Sequence, residues 1–187
     1  MGIRNWFRKD EVVGSRILIC SLDDKFEELM SVDAGVYERH YPCTSTAKCR
    51  SIPDLGNALG HRSDVLHLFC NVLPSGIIDA AGTTIRGTEL IEKCCDAGVK
   101  LLWIASDNPA DGYIKNFRAR GKKLNLVMTI SRKGEKFTDF LHGLLAQMSQ
   151  GTTMPTAWVN LAPQRPKTPA DAPECIFFAG RGGVLLR

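Results

Sequence analysis

The stretch Asp64–Asn71, "DVLHLFCN", is an apolar run that carries a histidine and a cysteine and stops at a polar residue. Three further runs share its character: Arg16–Leu22 "RILICSL", Val99–Ser106 "VKLLWIAS" and Leu124–Ile130 "LNLVMTI". A fifth, Cys175–Ala179 "CIFFA", is shorter. The first four are almost continuously apolar rather than alternating, the pattern of strands buried on both faces. Helical periodicity lies between them. Gly87–Ala97 places Leu90, Ile91 and Cys94 on one face, and Lys136–Gln150 spaces Phe137, Phe140, Leu141, Leu144, Leu145 and Met148 at helical intervals. Gly98 and Gly151 stand where helix C-caps belong. Strands alternating with helices imply right-handed βαβ units, hence one α/β domain of three layers with a mostly parallel sheet.

Within that domain, "PCTSTAKCRS" at 42–51 suggests a weak extra strand. Residues 1–15 read as an N-terminal extension. Residues 163–173, "PQRPKTPADAP", have four prolines in eleven positions and read as an extended surface loop.

A chain of 187 residues with 44% hydrophobic and 24% charged residues can bury a sizeable core without disulfides or metal. The seven cysteines (20, 43, 49, 70, 94, 95 and 175) form no CxxC pair, and Cys43 and Cys49 are too widely spaced for a common zinc knuckle. Four of them sit in apolar segments as small hydrophobes, so reduced thiols in a reducing compartment are expected. No apolar run approaches the roughly 20 residues that cross a bilayer. "MGIRNWFRKD" has no apolar h-region, and Trp6 stands where a myristoylation signal wants Ser or Thr. A soluble, cytoplasmic protein with no cofactor and no metal is the expectation.

The net charge of +4 is unevenly spread: eight basic residues lie between Lys115 and Lys136 against one acid, Glu135. The strand Leu124–Ile130 separates them into two groups about 23 Å apart, at opposite ends of the sheet. That division, without interleaved aromatics, argues against nucleic acid.

In open parallel sheets, ligands bind beyond the carboxyl ends of the strands. Those ends carry Asp23 and Asp24; Asn71; Ser106, Asp107 and Asn108; and Ser131, Arg132 and Lys133. His67 and Cys70, three apart on one strand, point to opposite faces and cannot form a dyad with each other. His67 reads as a core histidine bonded to a neighbour, and Cys70 as a packed thiol.

The order of elements resembles the caspase-like CHAT peptidase family over about residues 16 to 180. "HLFCNV" (67–72) is similar to that family's strand ending in H-x-x-x-H-G, and "LLWIAS" (101–106) to its strand ending in L-S-A-C. "FTDFLHGLLAQMSQG" (137–151), "AWVNLAPQ" (157–164) and "CIFFAG" (175–180) are similar to its later helix and tail. On this resemblance the catalytic histidine falls on Asn71 and the nucleophilic cysteine on Ser106. Asparagine takes no proton at any accessible pH, and serine needs a strong adjacent base. The resemblance therefore implies a degenerate, non-catalytic member acting as an interaction or scaffold module. A protein partner, in a homodimer or a hetero-complex, would pair along the last strand, unless the tail "GRGGVLLR" covers that edge.

Two alternatives stand beside it. One is a residual Ser106-dependent hydrolase using an unforeseen base, His61 or His142. The other is an anion- or nucleotide-sensing site built from Asn71, Ser106, Asp107, Arg132 and Lys133. "RILICSLDD" (16–24) also resembles the first strand of a receiver domain, but that likeness leaves 151–187 unexplained.

Overall fold

Four five-residue blocks supply the centre of the molecule, and each is buried throughout: β2 (Ile17–Ser21), β4 (Val65–Phe69), β8 (Leu101–Ala105) and β9 (Asn125–Thr129). Continuous apolar runs have no solvent face to offer, so they are covered on both sides. The structure, a computed structural model, describes residues 11–13, 16–108, 112–113, 117, 124–129, 132, 136–161, 175–178 and 184–186.

The remaining strands are β1 (Glu11–Val13), β3 (Thr44–Lys48), β5 (Asn71–Leu73), β6 (Gly76–Ile78), β7 (Thr84–Ile85), β10 (Cys175–Phe178) and β11 (Val184–Leu186). The main sheet has the order β10-β9-β8-β4-β2-β3; the five strands from β9 to β3 are parallel and β10 runs antiparallel to β9. The chain leaves β2 for β3 on one side and returns to β4 on the other. This puts the topological switch point between the carboxyl ends of β2 and β4, where such sheets open a crevice. A small antiparallel sheet, β5-β6-β7, follows β4 directly.

Helices cover both faces. On one face lie α1 (Glu27–His40), α4 (Lys136–Ser149) and α5 (Met154–Leu161); on the other lie α2 (Ile52–Leu59) and α3 (Gly87–Asp96). Local signals fix their ends. The Asp23 side chain accepts from the Lys25 N–H ahead of a short 3-10 turn, Asp24–Phe26, that leads into α1. Ser51 caps α2 by accepting from Asp54 N–H at 3.2 Å, with Pro53 in the first turn. Gly98 and Gly151 adopt φ +84° and +90°, the left-handed conformation that ends α3 and α4.

The extra strand expected within 42–51 is β3. Part of the expected N-terminal extension is structured, because Glu11–Val13 pairs in parallel with Val184–Leu186. Leu186 is buried among residues of α1, α4 and α5. The tail therefore joins β1 and does not lie along β10, whose outer side has no neighbouring strand among the described residues. The proline-rich stretch 163–173 lies outside the described residues. No helix among the described residues is long and apolar enough to cross a membrane.

Candidate functional site

The carboxyl ends of β2, β4 and β8 bring together Asp23, Asn71 and Ser106, the first two across the switch point. Backbone hydrogen bonds lock the strand ends to one another: Leu22 N–H donates to Phe69 C=O at 2.9 Å and Cys70 N–H to Ala105 C=O at 3.1 Å. This positions Asn71 and Ser106 on adjacent strand ends. Their side chains, however, turn to different partners.

Asn71 Nδ2 donates to Asp23 Oδ2 at 2.8 Å. Asp23 is held in turn, its other carboxylate oxygen accepting from Lys25 N–H at 3.0 Å and its carbonyl from the Ser21 hydroxyl at 2.6 Å. Ser106, fully buried, donates its hydroxyl to Asn108 Oδ1 at 2.7 Å and accepts from Asn108 N–H at 3.1 Å. Asn108 Oδ1 also accepts from Val72 N–H at 2.8 Å. The serine is thus a loop fastener: it closes its own turn and, through one amide, ties β8 to β5. Residue 112 closes over the same edge. A Cβ at Gly112 would collide with the Val72 carbonyl oxygen, so only glycine lets this segment lie so near β5.

Asp107 points outward and pairs with Lys25 Nζ at 3.1 Å, an exposed bridge. Arg132 does not stand at the solvent edge where the sequence places it. Its backbone N–H donates to Ser106 C=O at 2.7 Å, and its guanidinium turns inward beneath α1 to meet Asp33 at 2.8 Å. Both side chains of the pair are fully buried, and the guanidinium lies over the Phe137 ring. A buried carboxylate is the stronger claimant on an arginine than open solvent, so the expected anion-binding role loses its guanidinium. Burial raises the Asp33 carboxyl to about 6 against the opposing pull of Arg132. Lys133, the remaining residue of that set, lies outside the described residues.

His67 and Cys70 face opposite sides of the sheet, as alternation requires: His67 lies among the α1/α4 aromatics and Cys70 among the α2/α3 aliphatics. The His67 ring stacks on Phe69 at 4.8 Å and on Trp103 at 5.1 Å, with Tyr37 edge-on at 5.7 Å. The expected hydrogen-bonded neighbour is not there: neither ring nitrogen has a partner among the described residues. Flat aromatic neighbours fill the space that a donor or acceptor would need. Burial, with Arg132 nearby, lowers the His67 pKa to about 3, so the ring is neutral. Burial pushes the Cys70 thiol up, away from thiolate.

The other candidate bases lie elsewhere. His61 is exposed beside Arg16 and Arg62 near the amino end of β2, and His142, on the outer side of α4, is bonded to His40. Among the described residues, no ionisable side chain is hydrogen-bonded to the Ser106 hydroxyl, and no three acids, cysteines or histidines are grouped as metal ligands. Sequence reasoning placed Asn108 at this strand end but not among the binding candidates, and it is the hub of the edge; its signal is the Ser-x-Asn spacing, which lets an amide bond back to a hydroxyl two residues earlier.

No protein-family model matches the chain, and no curated protein does. Among solved structures it is similar to the caspase drICE, with a TM-score of 0.53 and 12% sequence identity, over 97% of this chain and 93% of that one. The likeness is one of fold: a mostly parallel central sheet flanked by helices in a caspase-like arrangement.

Proposed function

We propose that the chain is a non-catalytic, caspase-fold interaction module, a degenerate relative of the CHAT peptidases. The observation that carries this reading is the bonding of Ser106. A serine nucleophile needs a base on its hydroxyl, and here the hydroxyl proton goes to the amide oxygen of Asn108, which has no basicity at neutral pH. Asn71, at the position the resemblance gives to a catalytic histidine, is itself a donor to Asp23.

The partner in this reading is another protein, seated along the outer side of β10. An edge strand offers a row of unmatched N–H and C=O groups that a second strand satisfies, whether from a second copy of this chain or from a different protein.

The catalytic half is tested with a serine-reactive fluorophosphonate probe on the purified chain. The expected result is no labelling; labelling of Ser106 that disappears in Ser106→Ala would establish a hydrolase instead. Light scattering on the eluting protein tests the interaction half. A strict monomer that pairs with no β-strand ligand at β10 removes it.

A further inference from the structure

Away from the carboxyl edge, His40 and His142 meet where α1 and α4 run side by side. His40 is the last residue of α1, and His142 lies on the exposed side of α4. Their nitrogens, His40 Nε2 and His142 Nδ1, are 3.3 Å apart, with ring centroids at 5.2 Å and planes inclined by 39°. His142 opens into a groove of about 430 Å³ whose walls include Arg39, Thr138 and Asp139.

We propose that His40 and His142 together form a two-imidazole site for a divalent transition-metal ion of the zinc–copper class, bridging α1 and α4. Three features of the geometry argue for it. Two nitrogens each about 2.0–2.1 Å from one tetrahedral zinc lie about 3.3–3.4 Å apart, the separation already present. Turning the two rings would point both lone pairs at one ion. The ion would also sit at the C-terminal turn of α1, where the helix dipole favours positive charge. Imidazole is a side chain that suits both of these metals.

The metal-free pair shares one N–H between its facing nitrogens. Binding requires both of those nitrogens bare, so the donor ring moves its proton to its opposite nitrogen and no proton is lost overall. Water would complete the coordination on the solvent side of the exposed pair. The site is independent of the function proposed above, since neither histidine touches Ser106 or β10.

The test is calorimetric titration of the purified full chain, stripped with EDTA, with zinc chloride, together with melting curves at each metal level. The expected result is one zinc per chain and a melting point that rises with zinc. His142→Ala and His40→Ala should each abolish both effects, whereas His61→Ala, at a histidine remote from the groove, should keep them. Copper(II) in place of zinc should give an electron paramagnetic resonance spectrum with two nitrogen ligands, reduced to one in either variant. Should an alanine variant lose its fold, His142→Gln repeats the measurement with a neutral side chain of similar length. No zinc-dependent stabilisation in the unmodified chain, or stabilisation that survives in His142→Ala, overturns the proposal; the latter would place the ion on exposed thiols such as Cys43.

Discussion

The two faces of one sheet are built from the same strands and yet differ in kind. Against α2 and α3 the core is aliphatic and thiol-rich: Leu18, Leu66, Leu68, Cys20, Cys70 and Cys94 fill it, and the buried acid at its margin, Asp79, is bonded to the backbone N–H groups of Ile52, Ala81 and Thr83. Against α1, α4 and α5 the core is aromatic and holds His67 and the Asp33–Arg132 ion pair, all fully buried. Alternation along β4 and β8 sends even-numbered residues such as Leu66 and Leu68 one way and His67, Phe69 and Trp103 the other. The contrast teaches where this fold concentrates polar cost: under α1, and not at the carboxyl edge, whose Asn71, Ser106 and Asn108 bond cheaply among themselves and their loops.

The contrast breaks most sharply at Asp33. Asp33→Ala leaves Arg132 buried without its carboxylate and should cost about 3–5 kcal/mol, measured by urea unfolding. A loss under about 1 kcal/mol would mean that the guanidinium reaches solvent. Leu66→Ala, on the aliphatic face, should cost about 2–5 kcal/mol through the cavity it leaves, and by the same amount at pH 7 and pH 5. A pH-dependent loss there would erase the distinction between the faces.

His67→Phe works in the opposite direction. It keeps the stack on Phe69 and Trp103 and removes two ring nitrogens that have no partner among the described residues, so it should stabilise by about 1–3 kcal/mol at pH 7. Its gain should widen in acid. The unfolded chain takes up a proton on His67 as pH falls through its ordinary 6.5, while the folded ring stays neutral down to about 3. Folding stability therefore drops across that window, and the variant should lack this drop. Asp33 acts with the opposite sign: its folded carboxyl, raised to about 6, is protonated before the unfolded one at 3.8, adding stability as pH falls between those values. Unfolding curves for both proteins from pH 7 to pH 4 check this, and parallel profiles would show that His67 has a hydrogen-bond partner after all. The smallest effect belongs to the carboxyl edge. Ser106→Ala removes the hydroxyl's two bonds to Asn108 while Asn108 keeps Val72 N–H, and should cost about 0.5–1.5 kcal/mol in thermal unfolding.

The sequence carried the sheet and α4 plainly, because continuous apolar runs and a clean helical stripe are single-residue signals. It hid α1. The buried stripe of that helix is Met30, Asp33, Ala34 and Tyr37, and an aspartate in the middle of it reads as a solvent position. The acid makes sense only beside Arg132, which lies 99 positions away, and no local pattern announces such a pairing. For the same reason Arg132 looked like a ligand at the edge when it is a strut below it. The short α2 and α5, eight residues each, and the hairpin β5–β7 carry too few turns of periodicity to stand out. Asn71 and Ser106 were legible as positions at the strand ends. Their partners were not, since Asp23 and Asn108 are chosen by how three loops converge.

One consequence follows from the pairing of Glu11–Val13 with Val184–Leu186. These strands are far apart in sequence, Glu11 pairing with Val184, so closing that ladder brings together widely separated parts of the polymer, an entropically slow kind of contact. Loop-closure entropy therefore favours its closing late, after the layers between, like the knot tied when the parcel is wrapped. Cutting away either short strand would orphan the other and bare the flank that Leu186 shields, so two remote trims should leave the same injury.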